Sequence, residues 1–294
     1  MTKIKYTQNF LKSPSLVREL IANSKIVEGD TVIEIGSGKG IITKCLAEKV
    51  GASGQVIALE IDKVLSDDLA VQFANVHQVK TLNVDARNYS FGKHNTYKIF
   101  SNIPFMYTSD LMNILLDVNT GAELGYVIVQ KESALMYGGT ELGSESTLKS
   151  LLAIPNYSFS VFHQFSKSDF VPSPQVETVL LGFSKREEAL VSQNKYEVYA
   201  DFVAFISGDR VGEGSWKKLF SKSDLATLSQ KGLVPGRGLK LQTAETIIFA
   251  FHYLTQHYPE KMRVTVGSMR KLHKQQSELI KNRRTRVDRN WKTS

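Results

Sequence analysis

Asn102-Ile103-Pro104-Phe105 combine a carboxamide, a proline carbonyl and an aromatic face within one short turn. Acceptors placed in this way can hold an exocyclic amine, and the ring can stack on the base that carries it. The preceding residues, Tyr97 to Ser101, read as a short buried strand that Pro104 cannot continue. Taken alone, the same four residues could be a turn that does no more than end a strand. The residues upstream favour the chemical reading.

Val32-Ile33-Glu34-Ile35-Gly36-Ser37-Gly38-Lys39-Gly40 runs from a strand into a glycine turn, and Ile41 to Ala47 then reads as a helix. That order brings backbone close to a ligand at a helix N-terminus. Dinucleotide sites favour G-x-G-x-x-G, whereas here the order is E-x-G-x-G-x-G. The acid, Glu34, would do nothing for a pyrophosphate but is tolerated by a cationic methyl donor such as S-adenosylmethionine. The next strand, Gln55 to Asp62, brings Glu60 and Asp62 to its end, where a carboxylate can grip two ribose hydroxyls. A third, Val79 to Ala86, closes on Asp85, which could accept the amine of the donor's adenine or serve as a helix cap. The glycine loop, Glu60, Asp85 and Asn102 thus fall at the carboxyl ends of successive strands, where open α/β sheets bind ligands.

On these motifs the chain resembles the rRNA adenine N6-methyltransferase family, and within it the Erm-type dimethylases of macrolide-lincosamide-streptogramin B resistance. The likeness runs through Gln8-Asn9-Phe10-Leu11, the glycine loop, and Lys98 to Phe105. It resumes at Asp169-Phe170-Val171-Pro172-Ser173-Pro174-Gln175-Val176. The resemblance implies S-adenosylmethionine as cofactor. It puts Asn9 and Leu11 along the methionine end of the donor, Gly36 beneath it, Glu60 on the ribose and Asp85 on the adenine. Gly38 and Ala86 complete the donor-binding set. Asn102 would bridge donor and target amine, with the Pro104 carbonyl as second acceptor, while Phe105 and Phe170 would wall the target base. Most family members carry Tyr where this chain has Phe105. The implied partner is 23S rRNA, presenting an exposed, unpaired adenine. Alternatives are the related dimethylation of two adenines in small-subunit rRNA, and a non-catalytic nucleic-acid-binding relative, in which an eroded glycine loop would be expected. Ile103, where small-subunit enzymes carry Leu, leans toward the 23S reading.

Elements able to position these residues follow from the pattern. Strands near 31–36, 55–61, 78–84, 97–102 and 121–130 alternate with helical segments, the rhythm of a parallel Rossmann-like α/β sheet. Residues 157–163 and 177–183 suit a final antiparallel pair, separated by a stiff, proline-rich loop at 170–174. The glycine-rich run from Tyr137 to Ser146 reads as a surface loop, with a lid as the alternative. A boundary near Ser184–Glu188 closes a catalytic domain over 1–186. Residues 187–260 would form a small helical domain, with helices near 199–206 and 246–251, and 261–294 a basic tail. From Lys261 onward eleven cations face only Glu278 and Asp288, so this segment carries +9 of a net +8, leaving the first 260 residues at −1. Such a tail can neutralise phosphates without reading sequence, or be an ordinary solvated terminus.

At 294 residues and 42% apolar content the chain can bury one α/β core and a smaller domain. No apolar run reaches the roughly 18 residues of a membrane span, and Met1 to Tyr6 lacks the core of a secretory signal. Cys45 is the only cysteine and the six histidines are scattered. Neither disulfide nor metal chemistry is expected, and a cytoplasmic monomer is.

Overall fold

The computed structural model describes residues 9–94, 96–208, 214–234 and 238–278. The chain divides into two compact units: residues 1–142 with 156–187, and residues 143–155 with 188–294.

In the first unit the chain runs β1 (Phe10–Leu11), α1 (Pro14–Ala22), β2 (Thr31–Ile35), α2 (Ile41–Val50), β3 (Gln55–Glu60), α3 (Lys63–Gln72), β4 (Val79–Asn83), β5 (Lys98–Asn102), α4 (Thr108–Leu115), β6 (Leu124–Gln130) and α5 (Lys131–Gly138). Three strands follow: β7 (Tyr157–Phe165), β8 (Phe170–Val171) and β9 (Thr178–Lys185). Seven strands form one sheet in the order β4-β3-β2-β5-β6-β9-β7. The first four junctions are parallel; β9 runs antiparallel to both β6 and β7. The expected fifth strand starts later than residue 121. Gly121 N–H donates to Asp117 O and Ala122 N–H to Leu115 O, which uses these residues to close the turn after α4.

The apolar runs explain the layering. β2 and β6 are buried along nearly their whole length, as strands covered on both faces must be. Val17, Leu20 and Ile21 of α1 and Ile42, Leu46 and Val50 of α2 pack with Val32, Val56 and Phe100 in one core cluster. Each such side chain contributes on the order of 1.5–3 kcal/mol. Helix starts are set locally: Ser13 Oγ accepts from Leu16 N–H at 3.2 Å ahead of Pro14, and Asp62 Oδ1 accepts from Val64 and Leu65 N–H.

A second, two-stranded ribbon was not legible in the pattern. Phe10 pairs with Val171 and Leu11 with Phe170, and Lys12 N–H adds a bond to Asp169 O. Residues 170–171 are therefore a short strand, and the Val171–Pro172 peptide that ends it is cis.

The second unit is helical: α6 (Leu148–Ala153), α7 (Tyr196–Ser207), α8 (Gly214–Leu219), α9 (Lys222–Gln230) and α10 (Ala244–His257). Tyr199, Phe202, Trp216 and Phe251 make its aromatic centre. Asp224 accepts from Ser221 N–H and Oγ–H at 2.8 and 2.6 Å, and from the Tyr253 and Tyr258 hydroxyls at 2.9 and 3.1 Å. Burial pushes its carboxyl up, but these bonds outweigh it and hold the group below the usual carboxylate range.

Two sequence expectations change here. Residues 143–155, read as part of the first domain, belong to the helical unit. The proposed tail also begins later than Lys261. Pro259–Val264 is a 3-10 helix with Met262 buried, and Lys261 Nζ donates to Leu219 O. Gly267 and Met269 N–H donate to the Asp201 carboxylate, and residues 268–278 are helical. Lys281, Arg283, Arg284, Arg286, Arg289 and Lys292 lie outside the described residues.

Candidate active site at the carboxyl edge of the sheet

β2 has β3 on one side and β5 on the other, so the chain order reverses at this strand. The β2–β5 pairing ends at Ile33 opposite Ile99. Beyond it the Ile35 N–H is satisfied by the buried Ser101 hydroxyl at 2.8 Å. The strands separate there, and a crevice opens outside their carboxyl ends, as such switch points do.

The glycine loop lines this crevice. Gly36 and Ser37 N–H both donate to Leu59 O, Gly38 N–H donates to Glu60 Oε2 at 2.8 Å, and Gly40 N–H to Ser37 O. Gly36 has φ +72°, and a Cβ there would stand 3.6 Å from Pro104 Cδ and 3.7 Å from Asn102 O, in the gap itself. Gly38, at φ +53°, would put a Cβ 2.7 Å from the Phe10 ring. Both positions need glycine, the first for the open space and the second for the packing of Phe10.

Three adjoining hollows meet at Gly36. One has an apolar floor of Ile35, Leu59, Ile61, Val84, Ala86 and Leu111, with Asp85, Arg87 and Tyr107 at its rim. Asp85 is the N-cap of a 3-10 turn, and its carboxylate also receives a fork from Arg87: Nε at 3.0 Å and Nη2 at 2.5 Å. That guanidinium holds the Asp85 carboxyl below its usual range and lies 4.1 Å from the Tyr107 ring centroid. The cap reading of Asp85 is thus met, and both of its carboxylate oxygens bond Arg87. Arg87 and Tyr107 were not singled out from the sequence; the adjacency of Arg87 to Asp85 was the available signal.

The second hollow is bounded by Asn9, Phe10, Asn102, Ile103, Pro104 and Phe105. Asn102 Nδ2 donates to Asn9 O at 2.6 Å. This bond orients the amide and leaves Oδ1 as a free acceptor. Pro104 O accepts from Tyr107 N–H at 2.9 Å and keeps its second lone pair.

The third hollow includes Leu11, Glu34, Ser37 and Lys39. Glu34 is 1% exposed. Burial pushes its carboxyl up to about 8, against the lowering effect of the Thr43 hydroxyl, which donates to Oε2 at 2.5 Å. A positive ligand charge would favour its ionised form.

Two expected site residues are engaged in ways the sequence did not indicate. The buried Glu60 carboxylate bonds Gly38 N–H through Oε2 and Asp62 N–H through Oε1, so it shapes the loop directly. Phe170 is 1% exposed, packs on Phe165 with centroids 5.2 Å apart, and belongs to the core cluster with Leu11. Its ring does not line the outer cleft, whose wall is made by Pro172, Ser173, Pro174, Gln175 and Val176 with Phe105, Met106 and Gln130. The reason is the β1–β8 ribbon, whose register turns Phe170 inward.

The residues fit a sulfonium methyl donor: an apolar slot with a carboxylate at its rim for a flat base, acceptors around the gap beside Gly36, and an acid, Glu34, beyond. Among the described residues no helix is long and apolar enough to cross a membrane, and no cluster of three or more His, Cys, Asp or Glu could hold a metal.

The ribosomal RNA adenine dimethylase family model matches residues 1–256. An rRNA adenine N-6-methyltransferase of Staphylococcus aureus is 33% identical over 199 residues, 68% of this chain and 78% of that protein. The ribosomal RNA small subunit methyltransferase A of Mycoplasmopsis pulmonis is 30% identical over 227 residues, 76% and 86% respectively. Among solved structures, that of the 23S rRNA methyltransferase ErmE superposes with a TM-score of 0.75 at 21% identity, covering 84% of this chain and all of that one.

Proposed function

Because the chain belongs to the ribosomal RNA adenine dimethylase family and is an S-adenosylmethionine-dependent rRNA adenine N6-methyltransferase, we propose that its target is a single unpaired adenine of 23S rRNA. Methylation there would block macrolide, lincosamide and streptogramin B binding, with the enzyme acting as a monomer in the cytoplasm. The observation that carries the catalytic assignment is the Asn102 amide, held through Nδ2 by its 2.6 Å bond to Asn9 O, in a hollow it shares with Gly36, Pro104 and Phe105.

The donor supplies a strongly electrophilic methyl group, so the protein's work is alignment. Asn9, Leu11, Gly36, Gly38, Glu60, Asp85 and Ala86 are the residues that would hold it. An adenine amine is a weak nucleophile because its lone pair is delocalised into the ring. Asn102 Oδ1 and the free lone pair of Pro104 O accept its two hydrogens and favour a more pyramidal nitrogen. Phe105 stacks on the base and fixes its plane, worth about 1–3 kcal/mol. No strong base is required, since the proton leaves after the nitrogen becomes positive. The base must be turned out of its stack to reach this pocket.

Ile103 in the Asn-Ile-Pro turn and the C-terminal excess of cations support 23S rRNA as substrate. The small-subunit reading is favoured by one observation, the likeness to the Mycoplasmopsis enzyme over 76% of the chain. Transfer of labelled methyl to protein-free 23S and 16S rRNA, offered separately, decides between them. Label on one adenine of 23S rRNA is the expected result; label only in 16S rRNA overturns the proposal.

A further inference from the structure

The outer cleft contains two carboxamide side chains, Gln130 and Gln175, that neither the fold nor the alignment chemistry uses, and of the two only Gln130 is shielded from solvent in part. Gln130 ends β6 and occupies the N-cap position of α5, yet its side chain makes no capping bond. Gln is a poor N-cap, and the helix start has other support, since Lys131 N–H donates to Glu177 O. The Gln130 carboxamide has no hydrogen-bond partner among the described residues, is only half-buried, and lines the cleft with Phe105, Asn9 and Pro172.

Its placement follows from register. β5 and β6 are parallel with Asn102 opposite Ile128, so Gln130 shares the sheet face of Asn102 and lies two residues farther out, about 7 Å. Gln130 is thus set farther out than Asn102 on the same sheet face, in the cleft that Pro104 and Phe105 also line.

The acceptors of the target amine leave recognition incomplete. Asn102 Oδ1 and Pro104 O reject guanine, which has a carbonyl where adenine has its amine. Cytosine, with an amine beside a ring acceptor, satisfies them as well as adenine does. Cytosine N3 stands beside its amine as adenine N1 does, so a purine-specific contact must come from a donor aimed at N7, and a carboxamide is the side chain whose geometry matches that edge.

Resting on the adenine-methylating reading above, we propose that Gln130 is a base-recognition residue, donating its Nε2–H to N7 of the target adenine. A buried partner left unpaired by its loss should cost about ten- to a hundred-fold in kcat/KM for RNA.

The test is a functional cycle on a hairpin synthesised around whichever rRNA adenine the wild-type enzyme labels. That adenine is replaced by 1-deaza- or 7-deazaadenine and assayed with wild type, Gln130→Leu and Gln130→Glu. Both variants should lose about ten- to a hundred-fold on the natural hairpin while keeping the thermal midpoint and S-adenosylmethionine affinity of wild type. The 7-deaza hairpin should cost the wild type more than it costs either variant, whereas the 1-deaza hairpin should cost all three alike; effects of ring substitution on amine reactivity cancel, being common to all three. Variants as active as wild type, or deaza losses that multiply independently, would overturn the role of Gln130 alone. A wild-type enzyme that labels no rRNA adenine would instead overturn the function on which it rests.

Discussion

Replacing Glu34 by Gln should remove most of a pH-dependent loss of stability expected of the wild-type chain between about pH 5 and pH 8. In the folded chain the carboxyl is pushed up to about 8 from an ordinary 4.5, chiefly because it is fully buried. The folded state therefore holds a proton that the unfolded state releases, so stability falls as pH rises through this window. The shift of roughly 3.5 pH units, at 1.36 kcal/mol each, corresponds to about 5 kcal/mol lost by pH 8. Gln fills the same volume and still accepts from the Thr43 hydroxyl, but has no charge to bury. Urea unfolding of both proteins at about pH 5, 6.5 and 8 measures the difference, since other titrating groups are common to the two. The gap should widen in favour of the variant by about 1.4 kcal/mol per pH unit up to about pH 7.5. Parallel pH profiles would refute the claim that Glu34 is protonated in the folded chain. A cationic donor in the hollow that Glu34 lines should draw the proton off. Donor affinity is then expected to rise with pH in the wild type over the same window and to stay flat in the variant.

Further outcomes concern the other parts of the molecule. Asn102→Ala should lower turnover by at least about a hundred-fold, as loss of an oriented polar group at a reacting centre does, with a much smaller change in donor affinity; single-turnover transfer near the wild-type rate would remove its role. Phe105→Ala should behave like Asn102→Ala, whereas Phe105→Tyr should stay active because the stacking face is retained. Asp224→Ala should cost about 3 kcal/mol at neutral pH by stranding the bonds of Ser221, Tyr253 and Tyr258. That cost should shrink as acid protonates the wild-type carboxylate, whose value is depressed; a penalty unchanged into strong acid would count against the ionised hub. Removing residues 279–294 deletes six cations, and should flatten the salt dependence of RNA binding by up to about 4 units of log–log slope. An unchanged slope would mean these cations do not meet phosphate.

The parallel sheet was legible because its strands are short apolar runs bounded by glycine and proline, and Val32 to Ile35 or Val127 to Val129 could be little else. The candidate site residues follow from the related fact that they stand where such runs stop, and the structure gathers Gly36, Asn102, Pro104 and Phe105 around one hollow. What escaped was pairing across distance. Nothing local in Phe10-Leu11 announces that it meets Phe170-Val171, and this register turns Phe170 into the core. The hold of Glu60 on Gly38 N–H was hidden in the same way, since a carboxylate at a strand end suits a ribose or a backbone amide equally. Gln130 was passed over because, within the sequence, it is only the last residue of a strand.

The makeup of the helical unit has a consequence for how the protein is synthesised. α6 leaves the ribosome some forty residues before α7 (residues 148–153 against 196–207), yet its carbonyls at Leu151 and Leu152 receive the hydroxyls of Tyr199 and Tyr196. During translation this short helix must wait with Leu151 uncovered while β7 and β9 are being made, too short to persist alone. The C-terminal unit is therefore not a cassette: no single cut in the gene separates it. A fragment starting after residue 187 would lack the segment its tyrosines are built to meet, so trading this unit between relatives requires two junctions.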